Sequence, residues 1–231
     1  AAAAAAPNEF GAFTSTGYTI PYNTSAGWTN FDGRTNVGWT FRKAKNFFTM
    51  VKFTADDTFM TPTHDLGSLP GLVIYKCITS ASDTTGGNWY CWQSSMANNA
   101  NIVLNSTAAQ QTGLGAIGDV TSTQCQFWCT SGETYIAYYF GNDQAEFGAD
   151  SIIKCGSYTG NSSSQEIDCG FEAQWVLIKA TSDVTQWYLW DSMRGIIAGS
   201  ASPYLSPNRS RQEESLNYIA PLANGFIAKG A

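Results

Sequence analysis

The amino-acid sequence predicts an all-β fold of tandem β-sandwich repeats, jelly-roll or concanavalin-like, each of about 100 residues. The chain of 231 residues contains 8 Trp, 11 Tyr and 13 Phe, which suit pleated strands, and 22 Gly, which suit turns. Only 13% of its residues are charged, which leaves few to solvate the outer faces of long helices. Short apolar runs also alternate with turn clusters, as they do in a sandwich.

Eleven runs are predicted as strands from their apolar residues and the turn clusters that bound them. In the middle of the chain they are residues 47–54, 71–79, 88–94, 101–105, 124–130 and 133–141, and in the last third 151–158, 165–169, 174–180, 186–191 and 225–229. Residues 72–75 and 175–178 are continuously apolar, which predicts central strands that are buried on both faces. Residues 108–111 and 212–217 are predicted to form one helical turn each.

Four sequence blocks occur twice in the same order, which predicts tandem repetition. They are 49–53 with 151–155, 66–67 with 169–170, 72–76 with 175–179 and 89–94 with 187–192, at offsets of 102, 103, 103 and 98 residues. The last pair shares the pattern Trp-Tyr-x-Trp-x-Ser, the most specific of the four. The fall in offset from 103 to 98 predicts that the loop at 80–87 and its counterpart in the last repeat differ in length by five residues. Loops tolerate such differences.

A partial third copy is predicted at the N-terminus, because residues 35–41 (TNVGWTF) resemble residues 134–140 (TYIAYYF). We therefore expect residues 1–44 to close a preceding repeat, residues 45–147 to form a complete repeat, and residues 148–231 to form a second repeat that lacks this last strand. Residues 35–43 could supply the missing strand to the last repeat or to a neighbouring chain.

The alanine run at residues 1–6 has two interpretations. It is natural low-complexity sequence, or it stands for residues of unknown identity written as alanine. The second interpretation predicts a protein that extends further upstream.

Several longer motifs resemble a repeated domain of unassigned function that is common in marine phage proteins. One half of that domain is similar to SIIKCGSYTG, GFEAQWVLIKA and WYLWDSMRG. The other half is similar to HDLGSLPGLVIYK, NWYCWQSS, LNSTAA and TYIAYYF. The segment NVGWTFRKAKNFFTMVKF resembles the junction between consecutive copies. The resemblance covers nearly all of the chain after residue 6. It implies a structural protein of a tail fibre, spike or virion surface, and it carries over no catalytic residues. The chain departs from the pattern in its many cysteines and in an insertion at residues 21–30.

The composition disfavours nucleic acid and membranes as binding partners. The net charge of −6 and pI of about 4.6 do not favour nucleic-acid binding, and the largest basic cluster, at Arg42, Lys43 and Lys45, is expected to be a solvated strand end. No run of 18 apolar residues exists, so we expect no membrane insertion, and the N-terminus lacks the features of a signal peptide. We expect a homo-oligomer that contacts other virion subunits, located in a virion assembled in the host cytoplasm.

No catalytic role is predicted for any residue. His64 is the only histidine, and its counterpart at an offset of 103 is Ile167, so a turn or packing role is favoured over a general base. The chain contains no nucleophile elbow or P-loop, and no pair of carboxylates suggests a glycosidase. We therefore expect no enzymatic activity and no cofactor, and a hydrolase of host polysaccharide is the least favoured hypothesis.

Metal sites are also disfavoured. Asp56, Asp57 and Asp65 lack the spacing of a calcium loop, so a solvated turn is expected there. A calcium site is the alternative for the acidic linker residues, which are Asp143, Glu146 and Asp150.

The six cysteines do not predict a metal site either. Cys125 and Cys129 have no second Cys/His pair, and on a strand they share one face. Cys155 and Cys169 could form a disulfide across a hairpin, or could be small buried apolar residues.

The aromatic residues give the alternative function, a lectin-like module that binds host glycans. The pairs Trp89 with Trp92 and Trp187 with Trp190 are predicted to lie on one strand face, with the tyrosine between them on the other. Because the pattern recurs, the sandwich core is favoured over a sugar-stacking platform as their location. Tyr22 and Trp28 lie in the unmatched insertion and are candidates for a ligand contact specific to one copy.

Overall fold

The computed structural model describes residues 11–21, 33, 35–80, 85–113, 115–142 and 152–230. These residues form antiparallel sheets that do not close into a barrel, and they contain no helix. The chain divides into two compact units with the boundary between Thr40 and Phe41. In the first unit, a short turn pairs Phe13 with Tyr18.

The described residues of the second unit form sixteen strands. Module 1 is β1 (Phe48–Thr54), β2 (Phe59–Met60), β3 (Leu72–Cys77), β4 (Tyr90–Gln93), β5 (Ala100–Val103), β6 (Gln111–Thr112), β7 (Ile117–Val120), β8 (Cys125–Trp128) and β9 (Thr134–Phe140). Module 2 is β10 (Gln165–Asp168), β11 (Trp175–Lys179), β12 (Trp187–Asp191), β13 (Ser202–Tyr204), β14 (Glu214–Leu216), β15 (Ile219–Leu222) and β16 (Gly225–Ala228).

Module 1 is sandwich-like, with a six-stranded sheet in the order β1-β9-β3-β4-β5-β6 and a three-stranded sheet in the order β2-β8-β7. β9 is an interior strand, because its seven residues pair with β1 on one side and six of them pair with β3 on the other. Every second residue of β9 is buried, which places Tyr135, Ala137 and Tyr139 on the core face.

The core of module 1 is built around aromatic rings. Tyr75 stacks on Phe127 and Tyr135 at centroid distances of 4.6 and 5.3 Å, and its hydroxyl donates to the Trp128 carbonyl. Cys125 and Cys129 share this core face, as their four-residue spacing predicts. The chain enters and leaves module 1 at one point, where the Gly141 N–H donates to the Phe47 carbonyl at 2.8 Å.

The described residues of module 2 form sheets with fewer strands than the larger sheet of module 1. They are a three-stranded sheet in the order β10-β16-β15 and two hairpins, β11-β12 and β13-β14, linked by a bridge between Leu189 and Leu205. Val176, Trp190 and Phe226 lie in its core.

A separate apolar cluster joins the modules. Trp187 of β12 packs with Cys91 and Ile102 of module 1 and is 3% exposed. Its indole Nε1–H donates to the Val103 carbonyl at 2.9 Å, so the contact includes a buried hydrogen bond across the junction.

Equivalent strands pair in equivalent registers in the two modules. Val73 pairs with Trp92 in module 1, and Val176 pairs with Trp190 in module 2. Pairing also matches further along the sheet, where Asn101 pairs with Gln111 and Tyr204 pairs with Glu214. These positions correspond at the offsets of 103 and 98 that the sequence blocks define.

Hydrogen bonds to an asparagine side chain also correspond in the two modules. The Trp89 N–H donates to Asn105 Oδ1 at 2.9 Å, and the Trp187 N–H donates to Asn208 Oδ1 at 3.0 Å. The two asparagine amides then donate to the residues that precede each tryptophan, Asn88 and Gln186. The β4 and β12 hairpins are therefore held in the same way.

Ten of the eleven predicted strands are confirmed, with bounds that differ by at most two residues at either end. The prediction of a strand at 151–158 is wrong for its described part, 152–158. The matching strand β1 pairs only with β9, and no described residue of module 2 takes the position of β9.

Three further predictions are corrected by strand pairing. Residues 108–111 and 212–217 form no helical turn, because 111–112 and 214–216 pair as β6 and β14. β11 is not central, because among the described residues it pairs only with β12. Six short strands were not predicted, because two to four residues carry too little periodicity; they are β2, β6, β7, β13, β14 and β15.

Candidate assembly site

The outer edge of β11 is the main candidate site. Ser192 N–H donates to the Gln174 carbonyl at 2.9 Å, which fixes the direction of the hydrogen bonds along the hairpin. Since these directions alternate, Trp175, Leu177 and Lys179 point their N–H and C=O groups away from β12. No described residue pairs with that side of β11, which leaves a sheet edge of five residues open to another strand.

The equivalent edge is occupied in module 1. There the Ile78 N–H donates to the Thr134 carbonyl at 2.8 Å, and Leu72 pairs with Phe140. Leu72 of β3 corresponds to Trp175 of β11, so the two strands present the same side to the position of β9. Trp175 is 37% exposed, which is high for a residue in a sheet.

Residues 152–156 have the side-chain alternation of the edge strand β1 without its pairing. Exposed and half-buried residues alternate along 152–156 as they do along 50–54. Ile152 is exposed like its counterpart Met50, and Ile153 is half-buried like Val51. The two segments therefore share an exposure pattern, while Cys155 contacts Gly141 and Asn142 at the exit of module 1.

Residues 35–41 belong to no strand or bridge. The side chains of Val37, Trp39 and Phe41 are each 38% exposed. Phe41 lies in the second compact unit and makes edge contacts with Phe140 at 5.5 Å and with Trp175 at 6.2 Å. In sequence this segment resembles β9, residues 134–140.

The tryptophans of the repeated motif are largely core residues. Trp92, Trp187 and Trp190 are 4%, 3% and 2% exposed, so none of them presents a ring face for stacking on a sugar. Trp89 is half-buried, and the Lys76 ammonium lies 5.3 Å from its ring centroid. Tyr22 and Trp28 lie outside the described residues.

The prediction that both tryptophans of each pair share a face is wrong. Trp187 lies in the cluster between the modules, whereas Trp190 lies in the core of module 2 and stacks with Tyr188 at 5.6 Å. Residues three apart on a strand point to opposite faces, and residues two apart share one.

An open polar cleft lies between the modules, beside an exposed aromatic ring. Ser95 and Gln110 of module 1 line it together with Ser157, Thr159 and Thr181, and Tyr158 is 42% exposed. A lectin-like site in the described residues would have to use this ring rather than the paired tryptophans.

His64 has a packing role. Its ring lies 4.5 Å from that of Tyr139, its Nε2 is 3.2 Å from the Thr121 carbonyl, and its Nδ1 accepts from the Leu66 N–H at 3.4 Å. The Nε2 atom therefore carries the proton in this arrangement, since a carbonyl only accepts. Burial lowers the pKa of His64 below 6.5, although the Thr121 carbonyl and Asp65 favour the charged form.

The lowered pKa of His64 predicts acid sensitivity. In the unfolded chain the imidazole has its ordinary pKa, so below pH 6.5 the unfolded state binds more protons. The free energy of unfolding should therefore fall as the pH drops from about 7.5 to about 5.5, in urea titrations followed by tryptophan fluorescence. The variant His64→Gln should lose much of this dependence. An equal fall in the variant would mean that another group titrates.

The other polar candidates serve the fold. Asp65 accepts hydrogen bonds from Thr49 at 2.7 Å and from Lys43 at 2.6 Å, and both lower its pKa. Lys43, in the predicted basic cluster, is therefore paired with a carboxylate. The described residues contain no group of three potential metal ligands, and the linker residues Asp143, Glu146 and Asp150 lie outside them.

No disulfide links the six cysteines, all of which lie among the described residues. Cys155 contacts the Gly141 carbonyl, with its Sγ at 3.5 Å, rather than Cys169. Burial raises the pKa of the Cys91, Cys125 and Cys155 thiols to about 12, so these side chains are protonated and unreactive at neutral pH.

One buried ion pair was not predicted from sequence. Arg194 Nη2 lies 2.8 Å from Asp191 Oδ2, and both side chains are almost fully buried. The guanidinium also donates to the Leu189 carbonyl at 3.2 Å. The corresponding positions of module 1 are Gln93 and Met96. The sequence signal for the ion pair was therefore an acidic and a basic residue at positions where the other module has a polar and an apolar one.

Comparisons with known proteins give one match. The family model described as a domain of unknown function, DUF7483, matches residues 2–231. No curated protein and no solved structure matches the chain. In the described residues, no helix is long and apolar enough to cross a membrane.

Proposed function

The chain belongs to the DUF7483 family, and we propose that it is a structural protein of a virion surface, such as a tail fibre or spike, that acts by assembling into an oligomer. The open edge of β11 carries this proposal. A strand edge beside an apolar core is a site for pairing with another chain. In module 1 the corresponding edge is covered by the seven residues of β9.

The proposal of tandem repetition is supported by strand pairing. Register, the Trp–Asn hydrogen bonds and the order of strands all correspond between the modules at the offsets read from the sequence. Repeated sandwich-like modules in series are suited to building extended, rigid particles, because each module packs against its neighbour.

The roles of the polar side chains also favour a structural protein. His64 stacks on Tyr139, and the buried Lys76 ammonium donates to the Gly87 carbonyl at 2.5 Å. Asp191 and Arg194 neutralise each other. Each of these groups holds backbone or ring positions, and none is directed into the polar cleft.

Two measurements test the proposal. Light scattering coupled to size-exclusion chromatography should give a mass of at least twice 24.9 kDa for the full chain. Gold-labelled antibodies against the chain should bind purified phage particles in electron micrographs. A strictly monomeric chain at high concentration would overturn the assembly role, and unlabelled particles would overturn the virion location.

A further inference from the structure

We propose that residues 35–41 of one copy of this chain bind as an antiparallel strand to the open edge of β11 in a second copy. This inference rests on the proposed assembly function and names the partner at that site. Each copy carries both the donor segment and the acceptor edge, so the contact is heterologous and runs head to tail.

The donor segment matches the strand that fills the equivalent position in module 1. Residues 35–41 and 134–140 both begin with Thr and end with Phe. Between these ends, Trp39 corresponds to Tyr138 and Gly38 corresponds to Ala137. The donor therefore has the length of β9 and the same placement of an aromatic and a small residue.

The register follows from β9. Phe140 pairs with Leu72, and Ala137 pairs with Tyr75. Carried to module 2, these pairs put Phe41 opposite Trp175 and Gly38 opposite Ile178. A small donor residue again faces a larger residue whose side chain packs against the core. Trp39 then lies opposite Leu177, on the other face of the sheet.

Backbone geometry supports the same pairing. The N–H and C=O groups of Trp175, Leu177 and Lys179 face the open edge, in the phase that β3 uses toward β9.

The proposed assembly function favours a second copy as the source, since every copy carries both the donor segment and the acceptor edge. Within one chain Phe41, the last residue of the segment, contacts Trp175 at a centroid distance of 6.2 Å, so the two rings fit together. Exchange between copies repeats this aromatic contact and adds the backbone pairing, as in domain swapping.

Disulfide trapping tests the inference. Two full-length variants, Trp39→Cys and Leu177→Cys, are mixed and oxidised, because directly opposed residues on neighbouring strands lie within disulfide range. We expect a disulfide-linked dimer on non-reducing gels at a yield about tenfold above that of either variant alone. The matched control is Thr40→Cys mixed with Leu177→Cys, since Thr40 would face the opposite side of the sheet.

The outcomes separate this inference from the proposed function. If only the double variant Trp39→Cys/Leu177→Cys crosslinks, within a single chain, the segment closes its own module and the inference is wrong. If nothing crosslinks while light scattering still shows an oligomer, another surface drives assembly and only the inference fails. If the chain is monomeric throughout, both fail.

Discussion

The variant Arg194→Met should lower the free energy of unfolding by about 3–5 kcal/mol, because it leaves the buried carboxylate of Asp191 without its counter-charge. Both side chains are less than 5% exposed, so water cannot replace the guanidinium without opening the core. The hydrogen bond to the Leu189 carbonyl is lost as well. Urea unfolding followed by tryptophan fluorescence gives the measurement.

Module 1 supplies the control for this prediction. The double variant Asp191→Gln/Arg194→Met places the pair Gln93 and Met96 at the matching positions of module 2. Replacing a buried ion pair with a neutral pair of similar volume is often neutral in stability, so the double variant should recover most of the loss. A double variant as unstable as the single one would show that the pair holds the turn by geometry rather than by charge.

The variant Trp187→Ala should have an effect of similar size, about 3–5 kcal/mol, because it empties a large buried site. It also removes one of the two donors to the Val103 carbonyl, which keeps the hydrogen bond from the Ser106 N–H. Since this ring belongs to the cluster between the modules, the loss should uncouple them. We expect calorimetry to resolve two thermal transitions where the parent chain has one.

Two variants separate the contributions of Trp187. Trp187→Phe keeps most of the apolar contact and removes one hydrogen bond, while the Ser106 N–H still satisfies the Val103 carbonyl, so it should cost about 0.5–1.5 kcal/mol. Trp89→Ala removes the counterpart ring in module 1, which is half-buried, and should leave the number of transitions unchanged. A single transition in Trp187→Ala would mean that other contacts suffice to couple the modules.

The longer strands were predictable from sequence. Residues 135–140 are a continuous run of aromatic and aliphatic side chains, which predicts a strand, and they form an interior strand of the larger sheet. The motif Trp-Tyr-x-Trp-x-Ser identified the β4 and β12 hairpins, which share a register. Local pattern and tertiary pairing agree at these positions.

Pairing partners were not predictable from local pattern. The run at 175–178 is as apolar as that at 72–75, but among the described residues β11 has one neighbour and β3 has two. Residues 152–156 likewise have the alternation of a strand and lack its ladder. Whether such a segment becomes a strand depends on a neighbour that is distant in sequence.

The adjacent entry and exit of module 1 determine how it responds to tension along the chain. Phe47 and Gly141 share a hydrogen bond, and Phe48 pairs with Phe140 at the start of the long ladder between β1 and β9. A pull on residues 47 and 141 therefore acts on one backbone pair at a time and unzips the ladder from that end. Shearing, by contrast, would load all seven pairs together. Stiffness against stretching in an array of such modules must come from contacts between modules, such as that of Trp187, rather than from the ladder itself.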